Sequence, residues 1–574
     1  MPEIRKRFFD KSVWIPLREA RTLLKEGKLG HAGFKDEFWG AGSIAVPLGQ
    51  VSEAEKLEWM NVGIGHSTKG YVDEEEYIPA HSYKNRNGSL TAENLVLVRE
   101  GNAIECSEWH LSPDFIVTLE LKREEDDWLA ISRGYEKVAR LERNSKGCPI
   151  SIQVNAKYLK DYLCARGMGL YISSYRSRVQ VMEDASHINW PDPHIVTTKT
   201  DRWEGRNIEI HEGGHPFGSG ISYFHLSRTD VDYDEDVPEI GFPGDDDVEA
   251  TAWQKNFEGR KLFRVEGELW RNEWVNPAEH SYIVCDEETE PSSFFITNNS
   301  GKTENRRTLV DGSRWLWFKP SIINSLLDFR GSCLRWYTRD TGSIECSPGY
   351  GVHFGINKIG LVNVYAKDIA LLPDWQQKIW AGHNVTPDGK VSEELLMSQM
   401  KAKPASTIAP EKMLLRSIQI LNGLSLDKYR IEVIREHPEA RRISTKIHRF
   451  RAVNQDGLYE LAKDLYRLTG ERIDSTEIKA IVTPKKKEEW GSLKSLEKLL
   501  AVQIGDEKSY ELFTPLWGIY TLRNADTHLP SEDLSKAYKD CNVDRKQPLI
   551  TQGYQLIQSC VSCLNEISKA IKSI

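Results

Sequence analysis

Residues 397–412 read MSQMKAKPASTIAPEK, with two prolines and no hydrophobic period, and they separate two kinds of sequence in a 574-residue chain. Before them come short alternating runs: GLYISSY (169–175), KLFRVEGELW (261–270), RWLWFK (314–319) and GLVNVYA (360–366). Gly, Asn, Asp and Pro punctuate these runs, as in strands joined by turns. After them leucines fall at helical spacing over 411–424, 458–468, 492–504 and 554–571, which predicts an up-and-down bundle. The fold class read from this is α+β, a large β-rich N-terminal region followed by an all-α C-terminal bundle. The expected divisions are two β-rich lobes over 1–235 and 236–395, a linker over 396–410, and a helical domain over 411–574.

Charge and tryptophan change at the same place. Residues 401–574 hold 29 Lys+Arg and 23 Asp+Glu, a net of +6. The whole chain is 76 − 85 = −9, so residues 1–400 carry −15. Fifteen of the 17 tryptophans precede residue 400, leaving Trp490 and Trp517. An acidic front joined to a mildly basic tail lets the tail meet a polyanion. With 28% charged residues and a mean hydropathy of −0.51, the chain reads as a globular, water-soluble protein. No run of about 18 apolar residues predicts a membrane span. The start, MPEIRKRFFD, lacks the apolar core of a secretory signal. Nine cysteines without framework spacing read as reduced thiols of a cytoplasmic protein.

Within the front, 16–27 (PLREARTLLKEG) predicts a helix and 115–122 (FIVTLELK) a strand. The acidic stretch 230–247 reads as a surface insertion or a hinge between lobes. A weak internal repeat aligns 157–176 with 321–340. Each copy predicts a short helix ending in Arg-Gly (Arg166–Gly167; Arg330–Gly331) and then a strand, as a glycine C-cap would allow. Two related lobes are the expectation.

Most motifs in the front lack the context their chemistry needs. His211-Glu212-Gly213-Gly214-His215 matches HExxH, which works on a helix, yet NIEIH (207–211) alternates like a strand and two glycines interrupt the motif. A polar strand-to-turn segment is preferred there; a metalloenzyme using His211 and His215 is the alternative. Asp114 with Glu120 and Lys122 has the residue types of a magnesium-dependent nuclease at a spacing too short for two strands. Ile296 stands where the first glycine of a P-loop ending Ser300-Gly301-Lys302-Thr303 belongs. Cys560 and Cys563 have no second ligand pair nearby and read as core packing.

The tail carries the stronger signal in TPLWGIYTLRNADTHLP (514–530). Thr514 and Pro515 predict a helix start, and Pro530 its end. Leu512, Leu516 and Ile519 form an apolar stripe whose next position is Arg523, a cation that costs free energy there unless it is paired or used. Five residues later comes His528. On an ideal helix Arg523 and His528 lie roughly 140° apart, whereas Asn524 and His528 share a face, so the amide can fix the imidazole. The string is not unique, since Arg206-Asn207-…-His211 repeats it and Arg442 to His448 fits more loosely. The helical setting in the basic domain selects Arg523, Asn524 and His528.

This pattern resembles the R-[N/D/H]-x-x-x-H signature of HEPN-superfamily ribonucleases. The layout, a β-rich front before a helical unit, resembles ApeA-type abortive-infection proteins of bacteria. The resemblance implies a metal-independent endoribonuclease without cofactor, acting as a toxin in anti-phage defence. It further implies a homodimer through the bundle, with Arg523 and His528 of two protomers in one composite site, RNA (possibly tRNA) as substrate, and a front that senses an unknown phage trigger. Histidine would move protons at the 2′-hydroxyl and the leaving oxygen, and arginine would stabilise phosphorane charge. The run RRISTKIHRFR, with Arg441, Arg442, Lys446, Arg449 and Arg451, suits an RNA-phosphate path. The competing function is a non-catalytic binding protein whose Trp-rich lobes hold a ligand while the helices dimerise.

Overall fold

The computed structural model describes residues 13–63, 68–73, 75–84, 90–102, 104–190, 194–213, 220–228, 248–256, 259–287, 290–297, 300–311, 313–436, 438–525 and 531–573. Two compact units divide the chain, Met1–Ala130 with Glu136–Glu287, and Ile131–Tyr135 with Glu288–Ile574. The β-rich front and the helical C-terminal part expected of an α+β protein are both present.

The first unit is built on a twelve-stranded antiparallel sheet. Its ten path strands are β1 (Trp14–Glu26), β2 (Lys35–Pro47), β3 (Leu121–Glu124), β4 (Asp127–Ala130), β5 (Glu136–Arg143), β6 (Pro149–Asn155), β7 (Met168–Met182), β8 (His194–Thr197), β9 (Asp201–His211) and β10 (Lys261–Val275). Their order is β8-β9-β10-β7-β2-β1-β6-β5-β4-β3. β10 pairs with β7 over thirteen residues and with β9 over eleven, so the expected lobe boundary at 235/236 falls inside one sheet. The acidic stretch lies outside the described residues. The strands flanking it, Gly220–Arg228 and Val248–Asn256, pair as one hairpin and do not belong to separate lobes.

Residues 16–27 form strand β1 up to Glu26 where a helix was expected. The register slips between Pro16 and Arg18 against β6 and between Thr22 and Leu24 against β2. Each bulge moves later side chains to the other face, so the apolar spacing drifts off period 2 and imitates a helix. FIVTLELK likewise divides into a helix, Pro113–Thr118, with proline at its first turn, and then β3. On one face of the sheet the short helix Trp59–Val62 lies on a glycine floor. A Cβ on Gly42 would run into the Val62 carbonyl, and one on Gly40 into the Trp59 ring. Cys106 and Cys148, expected as free thiols, form a disulfide in this unit, with Cα atoms 5.4 Å apart.

The second unit joins a six-stranded antiparallel sheet to the helices. The strands are β11 (Trp315–Phe318), β12 (Cys333–Trp336), β13 (Thr341–Glu345), β14 (Gly351–Ile356), β15 (Val362–Tyr365) and β16 (Asn384–Val385), in the order β12-β13-β14-β15-β11-β16. The internal repeat holds locally. Helix α1 (Ala156–Arg166) ends at Gly167 with φ +63° before β7, and α2 (Ser321–Leu327) is followed by Gly331 with φ +85° before β12. It ends there. α1 links strands separated by two others in the sheet, whereas α2 links strands separated by three, which makes the first pair antiparallel and the second parallel. A duplicated lobe would keep one topology.

After α3 (Asp374–His383) and α4 (Glu393–Lys401) come α5 (Pro410–Tyr429), α6 (Ala440–Lys446), α7 (Gln455–Leu468), α8 (Ser475–Ile481), α9 (Ser492–Ile504), α10 (Asp506–Leu522), α11 (Ser531–Asp540) and α12 (Leu549–Ser573). The four leucine-periodic stretches are thus α5, α7, α9 and α12. The segment expected as a linker is fixed in place. Its first part is α4, Thr407 donates to Glu394 at 2.9 Å and accepts from the Arg339 N–H at 3.0 Å, and Ala409 is buried. Phe450 and Ile550 enter the core of the second sheet, so that sheet and the helices share apolar contacts.

Their polar junction is Arg449, expected to face RNA but only 2% exposed. Its Nε and Nη2 donate to the two Glu411 oxygens at 2.8 and 3.0 Å, and its guanidinium lies between the rings of Trp336 and Tyr554 at 4.4 and 4.6 Å. The arginine is a structural staple, consistent with the need of a buried charge for a bidentate partner.

Candidate functional site

α10 positions Arg523. The helix starts at Asp506, eight residues before the expected start at Thr514, with Asp506 and Glu507 in a first turn where carboxylates suit the helix dipole. Pro515 therefore sits inside the helix and leaves the Glu511 carbonyl without its usual donor. Phe513, Leu516, Ile519 and Leu522 are buried along one side, and Trp517 Nε1 donates to Glu497 at 2.8 Å. The helix ends at Leu522, and Arg523 is its C-cap residue.

The Arg523 side chain continues the apolar stripe and is partnered as its position requires. Its Nη1 donates to Glu471 at 2.6 Å, and its guanidinium faces the rings of Tyr466 at 4.3 Å and Tyr520 at 4.7 Å. Those rings stand 5.2 Å apart, so the cation sits in an aromatic corner closed by a carboxylate. Burial pushes the Tyr466 phenol up, which keeps that ring neutral beside the cation. The guanidinium side chain is 24% exposed and Glu471 48%, so the pair reaches solvent and an anionic ligand can compete with Glu471. Asn524 Nδ2 approaches the Tyr520 carbonyl at 3.4 Å. His528 falls within 526–530, outside the described residues, so its relation to Arg523 is carried by sequence spacing.

Helical spacing points to Tyr520, three residues before Arg523. Tyr466 and Glu471 come from the end of α7 and the turn after it, more than fifty residues away, and no local pattern announces them.

The rival strings separate from this site by geometry. Arg206 and His211 stand on β9 an odd number of residues apart, so their side chains leave opposite faces of the sheet. His211 ends that strand, Glu212 is paired with Arg260, and His215 lies outside the described residues; the helix that HExxH requires is not formed over 201–211. Asp114 accepts from Tyr162 at 2.6 Å and pairs with Arg166, while Lys122 pairs with Glu124. Among the described residues no group of three or more His, Cys, Asp or Glu is arranged to hold a metal ion. Cys560 and Cys563 are buried in the helical core, where burial pushes the Cys560 thiol up to about 12 and raises that of Cys563.

The basic run divides. Arg441, Arg442 and Lys446 are exposed on α6, Arg451 is half-buried, and His448 and Arg449 are buried. Comparison with protein-family models, curated proteins and solved structures finds no match. Among the described residues no helix is long and apolar enough to cross a membrane.

Proposed function

We propose that the C-terminal helical part is a HEPN-type endoribonuclease, acting as the toxic effector of a bacterial anti-phage defence protein. The observation that carries this reading is the setting of Arg523. A cation ends a core helix, is held by Tyr466, Tyr520 and a displaceable Glu471, and precedes His528 at the spacing of the family signature. In the proposed reaction the guanidinium moves from Glu471 to the scissile phosphate and offsets phosphorane charge, and His528 moves the proton of the 2′-hydroxyl. A second protomer contributes its own pair, because one copy offers few groups for both proton transfers.

Expression of the wild-type chain is expected to arrest growth, and Arg523→Ala or His528→Ala to relieve it. In vitro each change is expected to lower RNA cleavage by about 10²–10⁴, the size of general acid–base catalysis. Products with 2′,3′-cyclic phosphate ends and activity in EDTA complete the expectation. Cleavage by His528→Ala at the wild-type rate overturns the proposal.

The non-catalytic binding reading rests on a different observation. Trp190, His194 and Trp203 pack together 5.1–6.3 Å apart, over Gly205, where a Cβ would strike both tryptophan rings. Other tryptophans of this unit are occupied internally by arginines, as in Arg18 on Trp109, Arg123 on Trp128 and Arg140 on Trp14. The trio is the ligand platform of this alternative.

A further inference from the structure

The fold rebuilds the basic run around a buried carboxylate. Asp464, on α7, is 4% exposed and stands against two arginines, Arg451 from the turn after α6 and Arg467 one turn along α7; the charges of Lys446, at the end of α6, and of Glu460, one turn back along α7, also act on it. Arg451 Nη2 and Arg467 Nη1 each stand 3.7 Å from the carboxylate, too far for a hydrogen bond. Arg451 Nε is buried without a hydrogen-bond partner among the described residues. Lys463 pairs closely with Glu460 at 3.2 Å and, elsewhere in this unit, Lys498 with Asp506 at 2.6 Å. Here four positive charges, Lys446, Arg451, Arg467 and the Lys463 paired with Glu460, accompany two negative ones, Asp464 and Glu460, and the surplus is concentrated at one spot. Like charges so placed repel, and an anion bound between them relieves the repulsion.

The spot has a direction. Arg467 is the residue after Tyr466, whose ring carries the Arg523 guanidinium 4.3 Å away. Arg467 lies about 100° further round α7 than Tyr466, which puts the cation cluster and the candidate site on neighbouring sides of one helix turn.

We propose that Lys446, Arg451 and Arg467 bind the phosphodiester backbone of the RNA beside the phosphate engaged by Arg523. Asp464 is the positioning residue that holds the cations together while spending one charge. This rests on the ribonuclease reading. It replaces Arg449 of the sequence-derived path with Arg467, which comes from another helix.

The test uses the full-length His528→Ala protein, so that the RNA survives, and a labelled single-stranded RNA in a salt series. Adding Lys446→Gln and Arg467→Gln is expected to weaken binding about tenfold at physiological salt. It should also flatten the slope of log Kd against log salt by about 1.4, at about 0.7 per lost phosphate contact on a single strand. Arg467→Lys, which keeps the charge, is expected to hold the slope, and Lys485→Gln with Lys486→Gln to leave both quantities unchanged. Thermal unfolding checks that each variant is folded; both replaced side chains are exposed enough to change without opening the core. An unchanged slope in the folded variant with both changes added overturns the inference, as does a His528→Ala parent with no measurable RNA affinity. The two readings fail separately. An inactive Arg523→Ala with an unmoved slope removes the phosphate track alone, whereas an active Arg523→Ala with a flattened slope removes the nuclease and leaves an RNA-binding surface.

Discussion

Replacing Arg449 with alanine tests how the helices and the second sheet hold together. In the wild type the guanidinium is 2% exposed and Glu411 4%, joined by two hydrogen bonds of 2.8 and 3.0 Å. The Arg449 N–H adds a third contact to the same carboxylate at 3.2 Å, and Asp340 lies 3.5 Å from Nη1. Alanine leaves the Glu411 carboxylate buried beside a void between Trp336 and Tyr554. Removing one partner of such a pair typically costs about 3–5 kcal/mol, because the other charge stays desolvated. Replacing both, Arg449→Met with Glu411→Gln, removes the stranded charge and is expected to recover most of that loss. The assay is urea unfolding followed by the fluorescence of the tryptophans and by circular dichroism, with the transition of the second unit fitted separately. A loss below about 1 kcal/mol in Arg449→Ala, or a double variant less stable than the single, refutes the staple. The same reasoning revises the view of 411–574 as an independent domain. Cut from the sheet, those residues lose Asp340 and Trp336 and expose Phe450, so the fragment is expected to unfold well below the intact protein.

Further expectations follow from other sites. Burial pulls His448 down to about 4 against the opposing pull of Glu411, so the fold holds it neutral. Its folded value lies below the unfolded one of 6.5; the contribution is complete above pH 6.5 and about 3 kcal/mol is lost as pH falls toward 4, a loss absent from His448→Gln in parallel pH-dependent denaturation. Gly42→Ala forces Val62 and the helix above it off the sheet; unfolding of the first unit is expected to shift by about 1–3 kcal/mol or more, and an unshifted curve means the floor yields. The proposed composite site would require two protomers, so light scattering at micromolar concentration is expected to give a dimer, and a monomer with full nuclease activity contradicts it.

Much was legible in the sequence where the signal was local. The four leucine-periodic stretches became α5, α7, α9 and α12, because a long apolar stripe at helical spacing can be buried in one way. Alternation in KLFRVEGELW and GLYISSY became β10 and β7 for the same reason with period 2. The stripe position of Arg523 announced a cation in need of partners, and the structure supplies them.

What depended on distant contacts was hidden. PLREARTLLKEG carries a helical spacing, yet pairing with β2 and β6 made it the strand β1, with bulges absorbing the mismatch. RRISTKIHRFR presents six basic or titratable residues within residues 441–451, and their sequence does not say which face water. Packing against Trp336, Tyr554 and Glu411 took Arg449 inward, while Arg451 came to Arg467 around Asp464. Sequence fixes periodicity, because neighbours along the chain share one backbone geometry. The environment of a charge belongs to whatever the fold brings against it, and that is settled only when the helices and sheet close.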